Sequence, residues 1–210
     1  SEHYWSKFAP SSKIITAPFY LTDYYLHEIT AGITTKKDQC VCLMSTIIGP
    51  FLYDALNHFQ QIVTKSRPHS DGWEFIVTGR IGKKWRRRQK HLKYVGLVES
   101  PPALLRASRA MCILSNLGFG FKTKILEAIM CGCYVLVPEK LFGRLPEAVK
   151  PFCKVVNLSN TASFIRALQE VHDPLPDSNP NEILKAQAFK SFPSIILCHC
   201  LLGSSSNIKI

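Results

Sequence analysis

The chain has 210 residues, of which 26 are Lys or Arg and 15 are Asp or Glu, so its formal net charge at pH 7 is +11. Hydrophobic residues make up 46% of the chain and charged residues 20%, a globular composition that excludes a disordered or fibrous protein. No apolar run reaches the roughly 18 residues that a membrane-spanning helix needs. A chain of this length can bury one sizeable core or two small ones.

Eight cysteines are too few for a disulfide-stabilised scaffold. Six of them form C-x-C pairs, whose gap is shorter than that of a structural zinc site: Cys40 and Cys42, Cys131 and Cys133, Cys198 and Cys200. Residues i and i+2 of a strand share a face, so Cys40 and Cys42 are predicted to be small buried hydrophobic residues. Free thiols, and an opening segment without an apolar signal, lead us to expect a cytoplasmic protein without a metal site.

The positive charge is concentrated in Lys83 to Lys93 (KKWRRRQKHLK), which holds seven Lys or Arg and no acidic residue. Two interpretations stay open. The segment is either a patch that binds phosphates of a nucleic acid, a nucleotide or an anionic membrane, or a solvated loop between two strands. The chain carries no recognisable nucleic-acid-binding motif, which disfavours a nucleic acid as the partner.

Short apolar runs that predict buried strands alternate with segments whose apolar residues have helical spacing. In chain order these are strand 39–45, helix 51–65, strand 73–78, strand 92–97, helix 101–107, strand 111–114, helix 122–130, strand 134–137, strand 154–158 and helix 161–171. Ser100 is predicted to cap the second helix, and Gly132 to end the third. The alternation predicts an α/β fold with a Rossmann-like, doubly wound, mostly parallel sheet of about six strands.

The same pattern predicts three regions. Residues 1–36 lack the alternation and are rich in aromatic residues, so they are predicted to lie outside the sheet domain. Residues 37–172 form the predicted Rossmann-like domain. Residues 173–210 are predicted to be a linker and tail, because 173–181 (DPLPDSNPN) has the composition of a loop.

The most informative segment is 115–138, SNLGFGFKTKILEAIMCGCYVLVP, which joins a predicted strand to a predicted helix. Ligands of open parallel sheets bind at the carboxyl ends of the strands. Gly118 and Gly120 would let the backbone approach a ligand closely, and the helix start attracts anions. Lys122 and Lys124 are unfavourable at a helix start unless an anion compensates them, and a diphosphate would do so.

Glu127 follows Lys124 by three residues and so lies on the same helix face. Two interpretations are open from the residues alone. The pair is either a surface ion pair worth a few tenths of a kcal/mol, or Glu127 accepts hydrogen bonds from two ligand hydroxyls, as a carboxylate does from a ribose. The loop matches neither the dinucleotide-binding fingerprint nor a P-loop.

This segment resembles the carboxyl-terminal, donor-binding half of GT-B-fold glycosyltransferases of the large group that includes family four. The matching string is Gly118-x-Gly120-x-Lys122-x-Lys124-x-Leu126-Glu127-Ala128, followed by Gly132 and Val135. The strand around Gly96, the strand AMCILS at 110–115 and the loop GRLPEAV at 143–149 are similar to the family's elements in the same order. The resemblance covers roughly residues 38 to 170.

The resemblance implies one half of a GT-B fold and a nucleotide-sugar donor such as a UDP- or GDP-sugar. Glu127 matches the glutamate that holds the ribose hydroxyls. Gly118, Phe119 and Gly120 match the loop whose N–H groups face the donor sugar and diphosphate. Lys122 or Lys124 matches the lysine near the diphosphate, where a cation stabilises the leaving group. By resemblance, the reaction needs no metal.

Two departures from the family pattern stand out. The family's second glutamate, eight residues before Glu127, is Phe119 in this chain. An Arg and a Lys that many members carry after the first strand are missing from 45–49 (STIIG), so Lys122, Lys124 or Arg80 is expected to replace them.

We therefore expect a hexosyltransferase-type glycosyltransferase that moves a sugar to a hydroxyl of a glycan or lipid-linked acceptor. The acceptor domain would lie outside this chain, with 1–36 as its remnant or the inter-domain connection, so the isolated chain is expected to be incomplete for activity. Lys83 to Lys93 would lie beside the cleft or on an anionic membrane, which implies a cytoplasmic, peripheral protein. The alternatives are a non-catalytic domain that binds a nucleotide sugar or a partner, and a basic nucleic-acid-binding α/β protein.

Overall fold

The structure is a computed structural model that describes residues 18–32, 35–42, 50–80, 91–114 and 122–202. For 50–52 and 192–202 it describes the helical backbone and not the side chains. The predicted basic segment, apart from its last three residues, and the glycine loop at 118–120 lie outside the described residues.

A six-stranded sheet forms the centre of the fold. The strands are β1 (Lys37–Cys42), β2 (Glu74–Thr78), β3 (Lys93–Gly96), β4 (Ser108–Cys112), β5 (Tyr134–Val137) and β6 (Cys153–Val155). Their order across the sheet is β3-β2-β1-β4-β5-β6, and every neighbouring pair is parallel. The predicted Rossmann-like parallel sheet is confirmed.

Helices cover both faces of the sheet. They are α1 (Asp23–Thr30), α2 (Pro50–Ser66), α3 (Pro101–Ala107), α4 (Thr123–Met130), α5 (Glu139–Phe142), α6 (Thr161–Glu170) and α7 (Pro180–Leu202). Buried side chains of α2 and α6 pack on one face, and those of α1, α3, α4, α5 and α7 pack on the other. Burial from both sides explains why the strands read as continuous apolar runs.

The two faces have separate apolar cores. On the α2 and α6 face, the fully buried Phe59 ring makes edge contacts with Phe75 and Phe164, at centroid distances of 6.2 Å and 6.1 Å. Cys40 and Cys42 belong to this core and are free thiols, as predicted. Burial raises the pKa of the Cys42 thiol well above its usual value, so it stays protonated and packs as an apolar group.

The segments at the two ends of the described chain pack together on the second face. Asn181, fully buried, accepts a hydrogen bond from the Leu21 N–H through Oδ1 (2.7 Å) and donates one from Nδ2 to the Leu21 carbonyl (3.1 Å). Lys185 pairs with Asp23 at 2.6 Å. Helices α1 and α7 therefore contact each other and contribute to the second core.

Local geometry agrees with several predicted boundaries. Gly132 ends α4 with a positive φ of +79°, which only glycine adopts readily. Ser100 occupies the predicted cap position of α3, but its side chain makes no capping hydrogen bond, and the helix begins instead on two prolines.

Within the described part of the chain, none of the helices combines the length and apolarity that a membrane crossing requires.

Candidate functional site

The strand order fixes where a ligand would bind. From β1 the chain extends the sheet to β2 and β3 on one side, and then returns to add β4, β5 and β6 on the other. The carboxyl ends of β1 and β4 therefore form the topological switch point, where open α/β sheets bind their ligands. Helix α4, which follows β4 along the chain, begins at Thr123 at this edge.

Cations surround the start of α4. Lys122 occupies the cap position with extended backbone (φ −88°, ψ 103°), and the first turn contains no acidic residue. The pKa of Lys122 lies below its usual value, mainly because the ammonium is partly buried and further because Arg144 and Lys124 lie nearby. The positive end of the helix dipole adds to the same field, so the site is arranged for an anion.

Lys124, in the first turn of this helix, lies near the end of β1. Its charge is close enough to the Cys42 thiol to oppose the effect of burial on the pKa of that thiol. Cys42 is the last residue of β1. Lys124 is half-buried and therefore lies near the end of β1.

Glu127 lies one turn further along α4. It is partly buried, and burial raises the pKa of its carboxyl above the usual value while Lys124 opposes that rise. From the neighbouring α1, Tyr25 lies near the carboxylate: burial raises the pKa of Tyr25, and the charge of Glu127 raises it further. A carboxylate that is partly shielded from solvent beside a cation can accept hydrogen bonds from ligand hydroxyls.

The structure brings three of the predicted site residues together: Lys122, Lys124 and Glu127 share the first turns of α4. Arg80, exposed at the carboxyl end of β2, lies two strands away from β4 and is not part of this helix cluster. Gly118, Phe119 and Gly120 lie outside the described residues, so their predicted role stays a prediction.

Two residues near the cluster were missed from the sequence. Arg144 follows α5, donates from Nε to the Lys140 carbonyl (3.1 Å) and lies near enough to Lys122 to lower its pKa. The sequence did contain a signal, because Arg144 lies in the loop GRLPEAV at 143–149, which resembles an element of the family. Tyr25 gave no signal, since its segment lies outside the alternating pattern.

The basic segment is described only at its end. Lys93, in β3, forms an ion pair with Glu74 at 2.6 Å, so one of the seven cations is neutralised within the sheet domain. Among the residues that the structure describes, no group of three or more His, Cys, Asp or Glu side chains could hold a metal ion.

Comparison with known protein families assigns the chain to one of them. The model of the family described as "Glycosyl transferases group 1" matches residues 46–173, more than half of the chain. The chain belongs to this family. The match covers the site at α4 together with every strand from β2 to β6. Lys122, Lys124, Glu127 and Arg144 lie within the matched part, whereas Tyr25 and Cys42 lie before it.

Solved structures support the same fold. The Anabaena protein Alr3699/HepE in complex with UDP has a TM-score of 0.58 and 16% identity, over 94% of this chain and 58% of that protein. AviGT4, a glycosyltransferase involved in avilamycin A biosynthesis, has a TM-score of 0.55 and 15% identity, over 93% and 60%. An E. coli trehalose-6-phosphate structure with bound UDP-2-fluoro glucose has a TM-score of 0.55 and 10% identity, over 84% and 49%.

These neighbours confirm the GT-B resemblance of this group 1 glycosyltransferase at the level of the fold. The chain spans between about half and three fifths of the length of each of the three structures. A search of curated proteins found no match.

Proposed function

We propose that this chain is the donor-binding domain of a glycosyltransferase that moves a sugar from a nucleotide-diphosphate sugar to an acceptor hydroxyl. The observation that carries the proposal is the first part of α4, where Lys122 and Lys124 precede a partly buried Glu127 at the switch point of the sheet. The family match supports the transferase class. The UDP or UDP-sugar bound to the similar Anabaena protein supports the donor class.

Each residue has a part in this proposal. Lys122 and Lys124, with the helix dipole, neutralise the diphosphate, which carries more charge as the bond to the sugar breaks. Fixed cations stabilise that charge more in the transition state than in the bound donor, and such a difference is what lowers a barrier. Glu127 accepts hydrogen bonds from the ribose hydroxyls and so sets the position of the diphosphate over the helix start.

The proposal also covers the acceptor, a second domain and the cellular location, which lie outside the described residues. The acceptor, a glycan or a lipid-linked hydroxyl, would be held with the help of a second domain, in keeping with the partial coverage of the similar structures. We also propose a cytoplasmic location at an anionic membrane face, on the basis of the charge of residues 83–93.

Calorimetric titration of the full chain with UDP and with GDP tests donor binding. We expect saturable binding of at least one nucleotide, weakened about tenfold or more by Glu127→Gln, because a carboxylate accepts stronger hydrogen bonds than an amide. Glu182→Gln, in the first turn of α7 on the same protein, is the matched control and should leave the affinity unchanged. Binding that Glu127→Gln leaves intact would remove Glu127 from the ribose role.

The non-catalytic alternative rests on a specific departure, because Phe119 stands where the resembled enzymes have a second glutamate. A transfer assay distinguishes the two candidates. The chain is combined with a separately expressed acceptor domain and supplied with the nucleotide sugar whose nucleotide bound in the titration. Release of free nucleotide that depends on Lys124 supports catalysis, whereas tight nucleotide binding without turnover favours a binding domain.

A further inference from the structure

A second cleft opens at the carboxyl edge of the sheet, on the face covered by α2 and α6. Its volume is about 740 Å³, within the range of ligand-binding pockets. The apolar floor is formed where three strands end, by Leu114 after β4, Pro138 after β5 and Val156 after β6. Its sides are formed by Asp54, Ala55 and His58 of α2 and by Ser163 and Arg166 of α6.

The cleft is separate from the donor site proposed above. Among the described residues, those that line the cleft include none of α4, whose buried side chains pack in the second core. Both sites nevertheless open at the same carboxyl edge, and Leu114 extends from the end of the strand that precedes α4. Two ligands can therefore approach that edge from the two faces of the sheet.

The charges of the cleft favour a neutral ligand. Its lining contains two carboxylates, Asp54 and Glu139, two cations, Lys140 and Arg166, and one histidine, His58. These charges balance, in contrast to the start of α4, where cations meet without an acidic residue in the first turn. A balanced lining offers hydrogen-bond donors and acceptors without the net field that attracts phosphates.

The remaining polar groups are held in place by the loop before α6. The Asn157 side chain accepts from the Ser159 N–H (2.9 Å), and the Ser163 hydroxyl accepts from the Asn157 N–H (3.2 Å). Asn160 caps the helix by accepting from the Ser163 N–H (3.2 Å). A rim fixed in this way loses little freedom when a ligand binds, which favours affinity.

We propose that this cleft binds a neutral carbohydrate, and that the carbohydrate is the acceptor glycan. Sugars combine closely spaced hydroxyls with apolar C–H faces, which match the carboxylate, amide and hydroxyl rim and the apolar floor. Asp54, on the exposed side of α2, accepts hydrogen bonds from two neighbouring hydroxyls. The assignment as acceptor rests on the proposed transferase function, whereas carbohydrate binding itself does not.

The test is nuclear magnetic resonance of the full chain. Neutral methyl glycosides of glucose, galactose, mannose and N-acetylglucosamine are added up to about 50 mM, well above a millimolar Kd. Inorganic phosphate serves as the anionic probe, and UDP is titrated separately. We expect at least one glycoside to shift the amide signals of Leu114, Asn157 and Ser163 saturably, and phosphate to leave them unchanged.

Isosteric variants complete the test. Asp54→Asn should weaken glycoside binding about tenfold, because it removes a charged acceptor, and should leave UDP binding unchanged. Asp177→Asn makes the same change in an exposed residue after α6 and should change neither. No saturable glycoside shift at the cleft, phosphate binding there, or binding that Asp54→Asn does not weaken would overturn the proposal. Failure of UDP alone would remove the donor site and the acceptor assignment, and leave carbohydrate binding standing.

Discussion

At the level of single residues, the site on α4 holds two charges in an environment that disfavours both. Burial raises the pKa of the Glu127 carboxyl and lowers the pKa of the Lys122 ammonium. A bound nucleotide would oppose both pKa shifts, since its phosphates stabilise the ammonium and its hydroxyls stabilise the carboxylate. A bound nucleotide would therefore favour the charged form of both groups.

This arrangement predicts a pH dependence of nucleotide affinity. Glu127 binds its proton at a pH above the usual 4.5 of a glutamate, so its contribution is lost as the pH falls through that raised pKa. Lys122 loses its proton below the usual 10.5, so its contribution is lost as the pH rises through that lowered pKa. We expect UDP affinity, measured by calorimetry, to fall at both ends of a window narrower than free side chains would give.

The variants separate these effects from the titration of UDP itself, whose terminal phosphate also titrates, at about pH 6. The ratio of wild-type affinity to that of Glu127→Gln should be largest at neutral pH and approach one in acid, because a protonated glutamate resembles glutamine. The corresponding ratio for Lys122→Gln should decline in alkali. Ratios that stay constant across the pH range would contradict the assignment of these two groups.

Lys36 is a partly buried cation that holds three backbone carbonyls together. Its ammonium donates to the carbonyls of Ser108 (2.8 Å), Cys131 (2.8 Å) and Leu105 (3.3 Å), which joins the ends of α3 and α4 to the start of β4. A Cβ at position 132 would lie 3.3 Å from this side chain, so a larger residue there would displace the ammonium slightly, besides opposing the positive φ. Burial lowers the pKa of Lys36, and the nearby Cys133 and Cys131 oppose that shift.

Lys36→Met keeps the apolar stem and removes the donor, so it leaves carbonyls at two helix ends without this partner. We expect the free energy of unfolding to fall by about 1.5–3 kcal/mol, the range for hydrogen bonds to a charged group. Denaturant titration measures the change. Lys190→Met, on the exposed side of α7, is the control and should change stability by no more than about 0.5 kcal/mol. Equal effects of the two variants would show that the hydrogen bonds of the Lys36 ammonium do not contribute to the free energy of unfolding.

At the level of elements, the Asn181 side chain of α7 holds the segment that leads into α1, in addition to the Lys185–Asp23 ion pair. Asn181 satisfies both backbone groups of Leu21, which are 160 residues away along the chain. Asn181→Ala leaves that N–H and that carbonyl unpaired in a buried place, and each unpaired group costs about 1–3 kcal/mol. We expect amide hydrogen exchange in α1 to become faster than exchange in the sheet.

The control for this prediction is Gln187→Ala, an exposed position on the same helix. It should leave exchange in α1 unchanged, because it alters the helix without altering the contact. If Asn181→Ala accelerated exchange equally in α1 and in β1, the variant would have lowered global stability, and α1 would not open as a local unit.

The elements that sequence alone predicts well are those that local chemistry determines. Helix α3 matches the predicted 101–107 because Pro101 and Pro102 can only begin a helix, and β5 matches 134–137 because it is an apolar run bounded by glycine and proline. Strand β4 begins at Ser108, three residues before its predicted start. Its polar first residues include Arg109, which pairs with Asp38 of β1 and so hides the strand from an apolar pattern.

Helix α7 was not predicted, because tertiary contacts rather than a local pattern hold it. Its beginning follows a loop-like composition, and its apolar residues are not confined to one face, so no helical periodicity appears. The same limit applies to the site. Lys122, Lys124 and Glu127 share one helix and were found from their spacing, whereas Arg144 and Tyr25 arrive from other elements, and no local spacing predicts such a contact.

For the whole molecule, the two cores share one sheet. Alternate strand residues serve opposite faces: Cys40 and Cys42 belong to the first core, and Met111 and Val135 belong to the second. Each core is bounded on one side by the same sheet, so neither core can stay folded without these strands. Loss of either core should therefore expose the sheet and unfold the other core with it.

A pair of substitutions tests this coupling. Phe59→Ala in the first core should cost about 3–5 kcal/mol, and Leu126→Ala in the second about 2–5 kcal/mol, since both side chains are fully buried. In each variant, circular dichroism and the methyl resonances of both cores should lose native signal at one shared denaturant midpoint. Leu97→Ala, at a half-exposed edge position, should leave the midpoint within the range of surface variants. If Leu126→Ala lowered the midpoint for its own core alone, the two faces would unfold as separate units, and a donor site on the second face could open without disturbing the cleft on the first.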